Sequence, residues 1–184
     1  DLYLVCTGFL SNAPNRLLEN LGDRTFREVP MAGGAAGTSV GLGESVSVAD
    51  YDADGRLDLF VRNGYELPPF GEGPDQLFRN LSEAGNWIEL DLQGVRSNRD
   101  GIGTLAVLTA GGQKQVRFAD NGVHGRVQDH MRLHFGLGDN RRAEHLLIRW
   151  PSGEETEHRD LEANGVWLIT EDGEAAVRLK GARS

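Results

Sequence analysis

Short apolar runs separated by turn residues recur along the whole chain, and none carries ten or more residues of helical 3.6 periodicity. Strand-like runs cover residues 2–5, 45–49, 58–61, 76–79 and 87–92, the last with clean alternation of inward and outward residues. Further runs follow at 105–109, 115–118, 133–135, 145–150, 154–158 and 166–170. Gly111-Gly112 is spaced to turn a hairpin, and Pro151-Ser152-Gly153 reads as a second tight turn. Short strands at this spacing imply an all-β fold, whether sandwich, barrel or propeller.

With 184 residues the chain can hold one sizeable core or two small domains. Its formal charge of −9 argues against a nucleic-acid partner and fits cation binding or simple solubility. No apolar run is long enough to span a bilayer. Cys6 is the only cysteine, so no internal disulfide can form, and its apolar neighbours predict a small core residue. Lys114 and Lys180 are the only lysines, a bias toward arginine that points to a bacterial source.

Comparison of the chain with itself reveals a repeat. Asp1-Leu2-Tyr3-Leu4-Val5 matches Asp58-Leu59-Phe60-Val61-Arg62, and Asn15-Arg16-Leu17-Leu18-Glu19-Asn20 matches Asp75-Gln76-Leu77-Phe78-Arg79-Asn80. The offset grows from about 57 to about 60, which predicts a short insertion in the loop-like stretch 65–74. Because Asp1 aligns with Asp58, further repeats are expected upstream in the parent protein.

The densest chemical signal is Asp50-Tyr51-Asp52-Ala53-Asp54-Gly55-Arg56-Leu57-Asp58. Aspartates fall at positions 1, 3, 5 and 9, with glycine at position 6 to allow the sharp reversal. Calcium takes six to eight oxygens, so Asp50, Asp52, Asp54 and Asp58, with the main-chain carbonyl of Arg56, form the expected Ca²⁺ ligand set. Four such carboxylates would otherwise repel one another, and magnesium prefers fewer protein ligands. The flanks are strands and position 12 is Val61 rather than glutamate, which excludes an EF-hand.

This loop and the strand after it resemble the FG-GAP/VCBS repeat, whose copies form β-propeller blades and whose loop binds calcium. The resemblance covers residues 1 to about 93. Downstream, Ser97-Asn98-Arg99-Asp100-Gly101-Ile102-Gly103, then Leu133-His134-Phe135-Gly136-Leu137-Gly138, then Arg149-Trp150-Pro151-Ser152-Gly153 occur in an order that resembles the UnbV/ASPIC domain. The pairing is similar to the cartilage acidic protein family and its bacterial relatives. It implies partial propeller blades over residues 1–93 followed by a β-sandwich-like domain over residues 94–184. Animal members continue into a cysteine-rich module that this sequence lacks, so a bacterial relative is expected.

Catalytic signatures are sparse. Gly101-Ile102-Gly103 lacks the third glycine and the helix of a dinucleotide cradle. His130 and His134, with Asp129 adjacent and His124 nearby, are expected to be structural rather than metal ligands. Asp100, Asp120 and Asp129 could pair as in a glycosidase, but aspartates beside glycine or asparagine more often make turns. Trp87, Trp150 and Trp167 sit in strand-like runs and read as core.

The function expected from these features is a calcium-binding extracellular or periplasmic binding or adhesion module, a fragment of a larger repeat protein. Its partners would be a protein or carbohydrate ligand and the remaining repeats, and Arg126, Gln128 and His130 are candidate ligand contacts. The alternatives are an enzyme of natural-product tailoring and a purely structural calcium-stabilised domain.

Overall fold

The computed structural model describes residues 1–6, 13–37, 43–63, 73–120, 122–124, 127–173 and 176–181. It is all-β, with one short 3-10 turn at Pro30–Gly34 and no α-helix among the described residues. The chain divides into two compact units. The first comprises Asp1–Ala49, Leu57–Asn80 and Val123–Asp129, and the second Asp50–Arg56, Leu81–Gly122 and His130–Ser184.

In the first unit, β1 (Leu2–Leu4), β2 (Arg16–Asn20) and β3 (Phe26–Val29) form one antiparallel sheet. A second sheet joins β4 (Gly43–Ala49), β5 (Asp58–Asn63) and β6 (Gln76–Phe78) in that order. The repeat is present in three dimensions. Leu2 faces Leu18 as Leu59 faces Phe78, and Leu4 faces Arg16 as Val61 faces Gln76. Asp1 accepts the Asn20 N–H at 2.8 Å, and Asp58 accepts the Asn80 N–H at 2.7 Å. At the far end Asn15 caps Cys6 as Asp75 caps Asn63, both at 3.0 Å. The same polar side chains thus close both ends of each copy, which fixes its register. The insertion expected at 65–74 lies mostly outside the described residues. Cys6 is only partly buried and not in the core, because it sits where β1 has already ended.

The first unit also holds a small ribbon of β10 (Val123–His124) and β11 (Val127–Gln128). Its intervening strands, β7 (Asn86–Gln93), β8 (Leu105–Ala110) and β9 (Gln113–Phe118), belong to the second unit. That unit is completed by β12 (Leu133–Gly138), β13 (Arg142–Arg149), β14 (Glu155–Glu162), β15 (Gly165–Thr170) and β16 (Val177–Gly181). The strands form two four-stranded sheets, ordered β12-β7-β15-β16 and β14-β13-β8-β9, with β7 and β15 parallel. Strict alternation sends Ile88, Leu90, Ala106, Leu108, Leu146, Ile148, Phe135 and Ile169 into one shared core.

An offset of 60 maps β3 onto residues 86–89, the start of β7. In the first copy that segment pairs with β2, whereas β7 pairs with β12 and β15. Its Ile88 and Leu90 are fully buried, where β3 buries no side chain completely. The repeat therefore ends where its last strand becomes apolar enough to enter a sandwich.

The turns follow their residues. Gly111 and Gly112 both adopt positive φ, 56° and 73°, as the two-residue hairpin between β8 and β9 requires. Trp150 N–H bonds the Glu154 carbonyl across Pro151-Ser152-Gly153 at 2.9 Å. Trp87 and Trp150 are buried, and Trp167 packs partly exposed against the core.

Candidate metal centre

The aspartate loop spans the hairpin from β4 to β5, with Ala49 opposite Asp58 at its base. Asp50 organises it, since its two carboxylate oxygens accept the N–H groups of Asp54 at 2.9 Å and Gly55 at 2.7 Å. One carboxylate oxygen each from Asp50, Asp52 and Asp58 lies within 4.8 Å of the others. Asp58 is almost fully buried. These three of the five expected ligands come together in a cluster that could hold a metal ion. Asp54 lies outside the trio, and its carboxylate pairs with the Arg56 guanidinium and accepts the Arg56 N–H.

Gly55 explains how the loop is seated. Its φ is +89°, and a Cβ there would fall 2.0 Å from Cδ1 and Nε1 of Trp87, well inside contact. The Gly55 carbonyl meets Nε2 of His134 at 2.9 Å, and the His134 ring stacks on Trp87 with centroids 6.4 Å apart. Burial lowers the His134 pKa, so the ring is neutral and donates Nε2–H to the carbonyl. Beneath the loop, Arg132 forks onto Asp91 at 2.8 and 3.0 Å and reaches Glu89 at 3.3 Å. Burial pushes the Glu89 carboxyl up to about 7 despite Arg132, with Asp50 adding to the rise.

The other candidates have structural partners. His130 precedes β12 and accepts the Arg132 N–H at Nδ1, so it does not share a strand face with His134. Asp120 accepts the Gly122 N–H within its own loop, Asp129 accepts the Val48 N–H of β4, and Asp100 lies in a turn. Arg126 lies outside the described residues. Beside Asp54, an open cleft of about 390 Å³ is lined by Asn86, Asp139 and Asn164 among others.

Glu171 was not singled out by the sequence. Its buried carboxylate accepts N–H groups of Val95 and Arg96 at 2.6 Å and of Ser97 at 2.8 Å. The hydroxyls of Ser97 and Ser152 add bonds at 2.8 and 2.5 Å. Burial alone would raise its pKa, but these donors outweigh it and hold the carboxyl down at about 2. The Ser97 and Pro151-Ser152-Gly153 strings thus converge on one buried anion. A single glutamate after a strand carries no local pattern that could have revealed this.

No helix among the described residues is long and apolar enough to cross a membrane. Residues 1–61 match the FG-GAP-like repeat family, and residues 94–176 match the family described as ASPIC and UnbV. Among curated proteins the chain finds no match. A three-aspartate hairpin loop, a repeated three-stranded motif and a following domain agree with both matches: the chain has the FG-GAP plus UnbV/ASPIC architecture of a repeat-containing, extracellular-type protein.

Proposed function

We propose that this chain is a calcium-stabilised binding module of a secreted or periplasmic repeat protein, with the ion held by the aspartate loop. The observation that carries the reading is the convergence of Asp50, Asp52 and Asp58 on a loop already ordered by Asp50. Oxygens bound to one calcium at about 2.3–2.6 Å lie at most about 5 Å apart, so the spacing of the trio fits the ion. Asp54 and the Arg56 carbonyl would complete the set. The hard, all-oxygen donors suit calcium and lack the imidazole and thiolate ligands that zinc and copper favour. The ion would supply charge neutralisation and stiffness, while the chain itself supplies the ligand-binding surface.

Two observations favour binding over catalysis. His134 Nε2 bonds the Gly55 carbonyl and His130 Nδ1 accepts the Arg132 N–H, so one ring nitrogen of each is held by the main chain. The open cleft beside Asp54 is lined by polar residues, Asp139 among them, a lining suited to a hydroxyl-rich sugar or a polar protein loop. Calorimetric titration of chelator-stripped chain with calcium tests the reading. One site per chain is expected, abolished in Asp52→Ala, with unfolding shifted upward as calcium rises. Absence of binding at millimolar calcium, or unchanged binding in Asp52→Ala, would refute it.

A further inference from the structure

We propose that the outer face of the β14-β13-β8-β9 sheet is the surface on which two copies of this chain pair. Strand alternation turns Leu105 and Val107 of β8, Leu147 of β13, and Val116 and Phe118 of β9 away from the core. Register places them side by side: Val116 beside Val107 beside Leu147, and Phe118 beside Leu105. Val116 is 53% exposed and Phe118 56%. Apolar residues so grouped on a sheet face mark an interaction surface rather than ordinary scatter.

Charge identifies the occupant. The chain carries −9, so two copies repel over most of their surface. This face holds Lys114, Arg149 and Arg159 against Glu155 and Glu157, three positive and two negative charges, net +1 with His145 neutral. Most of these are already paired: Arg149 with Glu155 at 2.8 Å, His145 with Glu157 at 3.1 Å, and Arg159 with Glu157 at 3.6 Å. It is therefore close to neutral where the chain as a whole is strongly acidic, and a second copy meets far less repulsion here than over the rest of the surface.

The pattern is also self-complementary. A two-fold axis laid across the strands through the Val116-Val107-Leu147-Glu157 row reverses the strand direction of the second copy. Each of those three apolar residues then meets its own counterpart. Glu155 of one copy comes opposite Arg159 of the second copy, twice by symmetry, and Phe118 comes opposite the second copy's Lys114. Glu157 meets its counterpart at the rim with Arg159 and His145 already on it. An axis parallel to the strands would instead set the charged β14 edge over Val116 and Phe118. Sheets packed about 10 Å apart at about −30° accommodate the first arrangement. Three rows of four residues, spaced about 4.8 Å across and about 6.6 Å along the strands, give about 380 Å² in plan. Both copies together would bury on the order of 1,000 Å² of accessible surface, the low end for a specific interface, so the pair is reversible.

Sedimentation of the 184-residue chain across about 1 to 200 µM tests this, in the range where such interfaces titrate. A monomer–dimer equilibrium is expected. Val116→Glu, which sets two carboxylates face to face near the axis, should weaken it at least tenfold. Val116→Lys should do the same alone, and mixing the two variants should restore association. Circular dichroism and thermal unfolding check that both variants stay folded, as an exposed position allows. A chain monomeric throughout would overturn the proposal. So would a dimer indifferent to Val116→Glu, or a mixture that fails to associate.

Discussion

The two outer faces of the sandwich are built from the same kind of strand and have opposite fates. On the β12-β7-β15-β16 sheet the outward residues Trp87 and Glu89 are 3% exposed. Gly55 sits on Trp87 and His134, and Arg132 lies over Glu89. On the β14-β13-β8-β9 sheet the outward Val116 and Phe118 are more than half exposed. The covered face sets Trp87 beside the polar Glu89, Asp91 and His134, and the bare face mixes Leu147, Val116 and Phe118 with five charged residues. Polarity does not decide burial here. What decides it is whether each polar group finds a partner under the cover, as Arg132 does for both acids and Gly55 for His134.

The sharpest way to break this contrast is to lift the loop off its face. Gly55→Ala adds a Cβ into the Trp87 ring and forces a side chain into positive φ. Strain and steric clash together are expected to cost about 3 kcal/mol in chemical unfolding. If calcium stabilises through this seating, the variant should also lose most of the calcium-dependent shift in its midpoint. A Gly55→Ala chain as stable as the parent would show that the loop does not rest on Trp87.

Glu171 provides a control that touches neither face. Glu171→Ala removes the buried acceptor of the Val95, Arg96 and Ser97 N–H groups, at an expected cost of about 2–3 kcal/mol. Its pH signature is distinct. Its folded pKa of about 2 lies below the ordinary glutamate value of 4.5, so the folded state binds fewer protons and stability is fully present above about 4.5. That stability is lost as pH falls toward 2. Acid titration of unfolding should steepen over this window in the parent and flatten in Glu171→Gln. Identical acid profiles would remove Glu171 from the account.

The smaller effect on the covered face belongs to His134. His134→Ala removes the bond to Gly55 and the ring stacked on Trp87, and should cost about 1–2 kcal/mol. The sandwich core is built from other residues and stays intact. Urea unfolding with and without calcium separates the two roles, since a merely structural histidine would lower both midpoints equally. A loss larger with calcium present supports seating of the loop.

Local pattern made much of this legible. The all-β class, the hairpin at Gly111-Gly112 and the turn at Pro151-Ser152-Gly153 all follow from residues adjacent in sequence. The repeat was visible because each copy carries the same closing pairs, Asp1 with Asn20 and Asp58 with Asn80. Convergence of Asp50, Asp52 and Asp58 follows from their spacing around one glycine. Long-range arrangements left no such trace. The fork from Arg132 to Asp91 spans 41 residues and the Glu171 contacts span about 75, so neither alters any local periodicity. The Asp54–Arg56 pair was hidden for a different reason, because a neighbouring cation competing for a carboxylate cannot be read from aspartate spacing alone.

On the bare face the expected effect on stability is the smallest of all. Leu147 is partly exposed, lies between Val107 and Glu157 in register, and faces away from the Leu146 and Ile148 core positions. Leu147→Thr places a β-branched side chain, favoured in strands, on the pleat and gives up only partly buried methyl groups. At about 0.8 kcal/mol per fully buried CH₂, the unfolding free energy of dilute monomer should fall by no more than about 1 kcal/mol. The same substitution on the inner face, Leu146→Thr, buries a hydroxyl in the apolar cluster and opens a cavity, with an expected loss of about 3 kcal/mol. The pair of variants measures how inward and outward positions of one strand differ. Raising the protein concentration sharpens the comparison, because pairing through this face would make the Leu147→Thr loss grow with concentration while the Leu146→Thr loss stays constant. Equal and concentration-independent losses for both would mean that the outer face of this sheet is neither free in the monomer nor used between copies.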